Sequence, residues 1–102
     1  MGRKIRRNRK HFRGYDLEKV HQVLAVLKRR PSGLPFRELS RQARIPVATL
    51  SRYLNDYLEE FVESIYLPDK KHPYVRIVRL TEESSTKSAV ELTHIVRMIH
   101  PK

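Results

Sequence analysis

The stretch Glu38-Leu39-Ser40-Arg41-Gln42-Ala43-Arg44-Ile45-Pro46-Val47-Ala48-Thr49-Leu50-Ser51-Arg52-Tyr53-Leu54 decides how this chain folds. It reads as the end of one short helix, a break at Ile45-Pro46, and the start of a second helix at Pro46. Proline cannot continue a helix but suits its first turn. Two short helices joined this tightly must cross at a steep angle. Close crossing needs small side chains at the contact, and Ser40 and Ala43 supply them. It also needs apolar anchors before the turn, within it and after it, and Leu39, Ile45, Leu50 and Leu54 fit. The face left outside the second helix then carries Val47, Ala48, Thr49, Ser51, Arg52 and Asn55. Those side chains are short near the helix start, which permits close approach to another surface.

Working outward toward the N-terminus, Asp16 is placed to cap a helix running to about Arg30. Leu17, Val20, Val23, Leu24 and Leu27 recur at helical spacing and make one apolar stripe. Lys28, Arg29 and Arg30 fill the last turn, where cations suit the helix dipole. Pro31-Ser32-Gly33 stops this helix. Pro35 then opens the short helix, with Phe36, Leu39 and Ala43 on one face. Working outward in the other direction, the helix from Val47 is expected to reach about Glu60. Its buried face is Leu50, Tyr53 or Leu54, Tyr57 and Leu58.

Beyond it the period changes from helix to strand. Phe61 to Leu67 and Tyr74 to Leu80 are rich in β-branched and aromatic residues. The polar, basic connection from Pro68 to Pro73 joins them into a β-hairpin. Thr81 to Ser85 reads as a turn, and a fourth helix is expected from about Thr86 to Ile99. The order is helix-helix-helix-strand-strand-helix, a mainly α fold with a β-hairpin (α+β). Three parts are expected: a basic arm at 1–14, a folded domain at 15–83 and a C-terminal helix at 84–102.

Charge points to the partner. Lys and Arg total 22 against 11 Asp and Glu, a formal net charge of +11 over 102 residues. Such a surplus opposes compaction by self-repulsion and is easiest to understand if the partner is a polyanion. Nucleic acid leads and an anionic membrane surface comes second. Seven of the cations, Arg3, Lys4, Arg6, Arg7, Arg9, Lys10 and Arg13, lie in the arm with no acid beside them. The arm is suited to lie on phosphates or enter a minor groove.

With these residues in place, the stretch from Glu38 to Leu54 resembles the helix-turn-helix family. The hairpin after it is similar to the wing of the winged-helix branch. The segment Thr49-Leu50-Ser51-Arg52-Tyr53-Leu54 looks like the start of a recognition helix in many bacterial and archaeal regulators. The exit Arg79-Leu80-Thr81-Glu82-Glu83 is similar to the last wing strand of MarR-like and ArsR-like repressors. The resemblance implies double-stranded DNA as partner, a second helix in the major groove and a wing on the backbone or minor groove. Val47, Ala48, Thr49, Ser51, Arg52 and Asn55 are then the base-reading set. Arg52 can pair bidentately with guanine and Asn55 with adenine. Arg37, Arg41 and Arg44, with Lys70, Lys71 and His72 at the wing tip, are the backbone set. The expected function is sequence-specific transcription regulation. The alternative is nonspecific architectural binding, chromatin-like or to RNA. One departure stands out. The family pattern carries glycine where Arg44 stands, which points to a different turn shape here.

The last helix has Ala89, Leu92, Ile95, Val96 and Ile99 on a stripe broad enough to suggest a homodimer seam. Fold-back onto the wing strands is the competing reading. The chain has no cysteine, which removes disulfides, thiol catalysis and cysteine-based zinc sites. No apolar run approaches membrane-spanning length, no secretory signal is apparent, and a cytoplasmic, nucleoid-associated location is expected. Glu18-x-x-His21 and Glu91-x-x-His94 match di-iron spacing, but helices two and three offer no core-facing carboxylates to complete such a site. No metal, cofactor, small-molecule substrate or catalytic constellation is expected.

Overall fold

The computed structural model describes residues 15–68 and 75–101. In chain order the elements are α1 (Leu17–Arg29), β1 (Leu34–Pro35), α2 (Phe36–Ala43), α3 (Val47–Asp56), β2 (Val62–Leu67), β3 (Val75–Leu80), α4 (Glu82–Ser85) and α5 (Ala89–Ile99). This is an α+β winged helix-turn-helix, the class expected from the sequence.

Helix α1 starts where Asp16 accepts a hydrogen bond from the Glu18 N–H. Its apolar stripe is buried at Val20, Val23, Leu24, Val26 and Leu27. Leu39, Leu50 and Leu54 meet it from α2 and α3, Ile45 and Leu58 from the turns that follow those helices, and Val78 and Leu80 from the sheet. These residues form one core, and burying each such side chain stabilises the fold by roughly 1.5–3 kcal/mol.

The sheet contains one strand more than the hairpin. Its order is β1-β3-β2, all antiparallel. Leu34 pairs with Val78 and Pro35 with Ile77, so the connection between α1 and α2 is tied to the wing. A two-residue strand at a sheet edge leaves no sequence period, and Pro35 is tolerated because an edge strand need not donate from every residue. Gly33 makes the approach possible. It sits at φ +96°, and a Cβ there would lie 2.8 Å from Ile77 Cγ2 and 3.0 Å from both Arg79 Cβ and the Val78 carbonyl oxygen.

Helix α3 ends at Asp56 rather than near Glu60. Asp56, Glu59 and Glu60 crowd its C-terminal end, where the helix dipole disfavours negative charge. Tyr57 is the C-cap, and the turn after it carries Leu58 and Phe61 back into the core. Tyr57 also joins an aromatic cluster. Its ring centroid lies 4.7 Å from Tyr15, 5.5 Å from Tyr53 and 5.3 Å from His100. The Tyr15 hydroxyl donates to the His100 carbonyl, so the start of α1 is fastened to the end of α5. Burial, reinforced by Tyr57, raises the Tyr15 phenol above its ordinary pKa and keeps it a neutral donor.

The C-terminal region differs from expectation in two ways. Glu82 to Ser85 is a one-turn helix capped by Thr81, and α5 begins at Ala89 rather than Thr86. The start is set by a capping box in which the Ser88 hydroxyl accepts from the Glu91 N–H and the Glu91 carboxylate accepts from the Ser88 N–H. Helix α5 packs on α1. Leu92 and Val96, expected on a dimer seam, are fully buried inside the protomer, because α1 rather than a second chain covers them. Ala89 and Ile95 are half-buried against the same core, and Ile99 is 45% exposed.

Candidate nucleic-acid interface

The turn between α2 and α3 holds the site together. Arg44 is the C-cap of α2 at φ 61° and ψ 44°, the left-handed conformation that glycine adopts most easily. The departure from glycine therefore does not change the turn's shape, and a cation is held in the glycine geometry instead. The Arg44 N–H bonds the carbonyls of Arg41 and Ser40, and the Ile45 N–H bonds the Ser40 carbonyl at 3.0 Å. Ser40, buried, donates its hydroxyl to the Ile45 carbonyl. The small residue at the crossing thus also satisfies a turn carbonyl that no backbone donor reaches.

A strained arginine is removable. Replacing Arg44 with Gly relieves a left-handed cost of roughly 1–2 kcal/mol against an unfolded-state penalty of roughly 0.5–1 kcal/mol. Arg44→Gly is therefore expected to raise the urea midpoint by the equivalent of about 0.5–1 kcal/mol. The same variant should lower the salt slope of duplex binding by about 1 if Arg44 meets a phosphate. A variant that is both less stable and equally salt-sensitive would contradict both roles. Arg29 and Arg44 lie on the rim of a shallow groove of about 430 Å³ between α1 and α2.

Helix α3 divides sharply by burial. Leu50, Tyr53 and Leu54 are buried, while Val47, Ala48, Arg52 and Asn55 are exposed. Thr49 and Ser51 are half-buried at the flanks. Four of the six expected base-reading residues, Val47, Ala48, Thr49 and Ser51, occupy the first half of α3, with Arg52 next and Asn55 one turn beyond Ser51. Val47 is an exposed aliphatic side chain at the helix start, 47% accessible. The guanidinium carbon of Arg52 stands 5.2 Å from the centroid of the Tyr53 ring, a cation–π contact that orients it. Among the described residues no carboxylate pairs with Arg52.

The expected backbone set divides. Arg37, Arg41 and Arg44 are all exposed on α2 and its C-cap. Arg41, however, is engaged by Glu38, which also accepts from Gln42 Nε2 at 2.7 Å. The hydrogen bond from Arg41, then that from Gln42, holds the Glu38 carboxyl below its ordinary value of 4.5. A depressed carboxylate pKa means the pair contributes above about pH 4.5 and weakens as the pH falls below it. Glu38→Gln leaves Arg41 with its charge uncompensated. It is expected to tighten binding to any duplex about two- to three-fold at low salt, with little effect near 1 M salt. An unchanged affinity at low salt would place Arg41 away from the phosphates. Lys70, Lys71 and His72 of the wing tip, and the arm cations Arg3 to Arg13, lie outside the described residues.

One basic residue escaped the sequence reading. Arg76 points with Val78 and Leu80 on the core-facing parity of β3. Its guanidinium carbon lies 5.0 Å from the Phe36 ring centroid, and Nε donates to Ser64 Oγ at 3.0 Å. It braces the wing against the first residue of α2. An arginine in phase with core positions was the signal available. Arg79, one residue out of phase, pairs with Glu63 across the sheet at 2.6 Å.

Residues 17–60 match the IclR helix-turn-helix domain. That span covers α1, α2 and α3 and ends before the wing strands. The chain therefore carries a DNA-binding helix-turn-helix domain, and a DNA-binding transcription regulator is the class this indicates. The match is to the IclR type and does not single out the MarR-like or ArsR-like branch. No curated protein matches the chain. Among the described residues no group of three or more His, Asp or Glu side chains is placed to hold a metal, and no helix is long and apolar enough to cross a membrane.

Proposed function

We propose that this protein is a sequence-specific double-stranded DNA-binding regulator, without enzymatic activity, that works as a homodimer in the cytoplasm. Helix α3 enters the major groove, and Val47, Ala48, Thr49, Ser51, Arg52 and Asn55 face the bases. Arg37, Arg41 and Arg44 take phosphates, as do Lys70, Lys71 and His72 at the wing. The arm from Arg3 to Arg13 adds salt-sensitive affinity along the backbone or minor groove. The observation that carries this reading is the short-chained start of α3, exposed at Val47 and Ala48, with an oriented arginine beside it that no carboxylate among the described residues pairs. A long or acidic side chain there would keep a helix out of the groove.

Selection of bound duplexes from a random pool tests the proposal. The expected result is a defined motif with two-fold symmetry and half-sites about one DNA turn apart. At matched salt, selected sites should bind at least about 10³-fold more tightly than random duplex. A ratio near one would favour the architectural reading, which rests on the +11 charge alone.

A further inference from the structure

Ile45 is buried, but Pro46, Val47 and Ala48, which follow it, are apolar and exposed. They form the cap and first turn of α3. The stability of the helix does not account for them. A helix start favours Ser, Thr, Asp or Asn at the cap and acids in the first turn. Every other described helix opens with an acid there: Glu18 in α1, Glu38 in α2, Glu82 in α4 and Glu91 in α5. Helix α3 has none, and its cap, Pro46, makes no side-chain hydrogen bond. Val47 is also β-branched, a weaker helix former than alanine. An exposed apolar run of this kind works against folding and solubility unless it serves a contact. The turn lies within the span that matches the IclR helix-turn-helix domain, so in the proposed binding mode duplex DNA covers it. An acid there would meet the phosphates with the wrong sign.

On α3, Val47 is the one large apolar side chain that is exposed. Its two γ-methyl groups are held by a stiff χ1, so a contact costs little side-chain entropy. Ala48, Arg52 and Asn55, spaced four and three apart, form the outermost stripe of the helix. Ala48 adds only a Cβ to that stripe, so a base edge can come close enough to meet Val47 beside it. Each base pair presents donors and acceptors in the major groove, but its one apolar group there is the 5-methyl of thymine. Val47 against a donor or acceptor edge would strand a polar group, whereas against the methyl both surfaces leave water together. Val47 precedes Arg52 by about 7.5 Å at a rise of about 1.5 Å per residue, which is about two base-pair steps of about 3.4 Å.

We infer that Val47 is a specificity residue that reads the 5-methyl group of a thymine within about three base pairs of the guanine paired by Arg52. This rests on α3 entering the major groove, as in the proposed function, and adds the base that its first turn selects.

Deoxyuridine in place of thymine removes the methyl group and leaves every hydrogen-bonding group where it was. The guanine is located in the selected duplexes as the position where Arg52→Ala loses discrimination, and the thymine is sought on its Val47 side. With deoxyuridine at that thymine in one half-site, the full-length wild-type protein should bind about fourfold more weakly, the worth of one buried methyl group. Deoxyuridine outside the motif should leave affinity unchanged. Val47→Ala should bind both duplexes alike, at the affinity that the wild type shows for the deoxyuridine duplex. Its salt slope should be unchanged, because no charge is removed, and so should its thermal melt, because the side chain is exposed. A motif without thymine there, a wild-type protein indifferent to deoxyuridine, or a Val47→Ala variant that still separates the two duplexes would overturn the assignment and leave reading by α3 standing. Failure to select any motif would remove that reading and the thymine contact together.

Discussion

Gly33→Ala is expected to destabilise the fold by about 2–4 kcal/mol, read as a fall in the urea midpoint with an unchanged slope. Two costs combine. An alanine held at φ +96° carries left-handed strain of roughly 1–2 kcal/mol. Its Cβ would also press on Ile77 Cγ2, Arg79 Cβ and the Val78 carbonyl at 2.8, 3.0 and 3.0 Å, and overpacking of this kind costs typically 1–3 kcal/mol. The reduced freedom of the unfolded chain returns only about 0.4–1 kcal/mol. Two of the three obstructing atoms are a β-carbon and a backbone oxygen, which cannot swing aside. Relief must come from separating Leu34 from Val78 and Pro35 from Ile77, the only pairs that tie β1 to β3. Ser32→Ala, at an exposed neighbour, should stay within about 0.5 kcal/mol. A Gly33→Ala variant as stable as Ser32→Ala would mean that the close approach is not maintained in solution.

Arg52→Ala is expected to cost about 1–3 kcal/mol of discrimination between a selected site and one altered at a single guanine. Binding to random duplex should weaken much less. The distinction follows from position. Arg52 is exposed on α3 and is oriented by the Tyr53 ring, with no described acid competing for it. Its guanidinium is free to form the paired hydrogen bonds that a guanine edge offers in the major groove. Arg52→Lys should recover general affinity and leave most of the discrimination lost, because an ammonium lacks the planar fork. Quantitative competition at fixed salt measures both terms. A uniform loss across all sequences would reassign Arg52 to a phosphate and remove α3 as the reading element.

The helix crossing and the hairpin were legible in the sequence because each rests on a local period that burial enforces. Leu39, Ile45, Leu50 and Leu54 had to anchor the crossing, and all four are buried. What escaped depends on partners distant in the chain. The two residues of β1 have no period of their own and become a strand only through Val78 and Ile77. The end of α3 is set where Tyr57 meets Tyr15 and His100, from opposite ends of the folded chain. The stripe at Leu92 and Val96 looked the same as a seam because periodicity reports that a face is covered and is silent on what covers it. Arg44 shows the converse limit. A missing glycine suggested a changed turn, yet the bond from Ile45 N–H to the Ser40 carbonyl and the buried Ser40 hydroxyl hold the arginine in the glycine conformation. In the candidate interface, Val47, Ala48, Arg52 and Asn55 of α3 are exposed as expected, Thr49 and Ser51 are half-buried rather than fully outside, and the pairing of Arg41 with Glu38 was not foreseen.

The short strand β1 has a mechanical meaning. It joins β3 to the segment that leads directly into α2, while Arg76 braces the same strand on Phe36. In the proposed binding mode the described wing strands and α3 are therefore coupled through β1 and α2 as two jaws of one caliper. Such a caliper would measure, closing on a duplex only where the spacing from a major groove to the neighbouring backbone matched its own opening. In the proposed binding mode, B-form DNA would satisfy both jaws at once. The A-form geometry of double-stranded RNA, with its deep and narrow major groove, would admit neither α3 nor the matching wing contact.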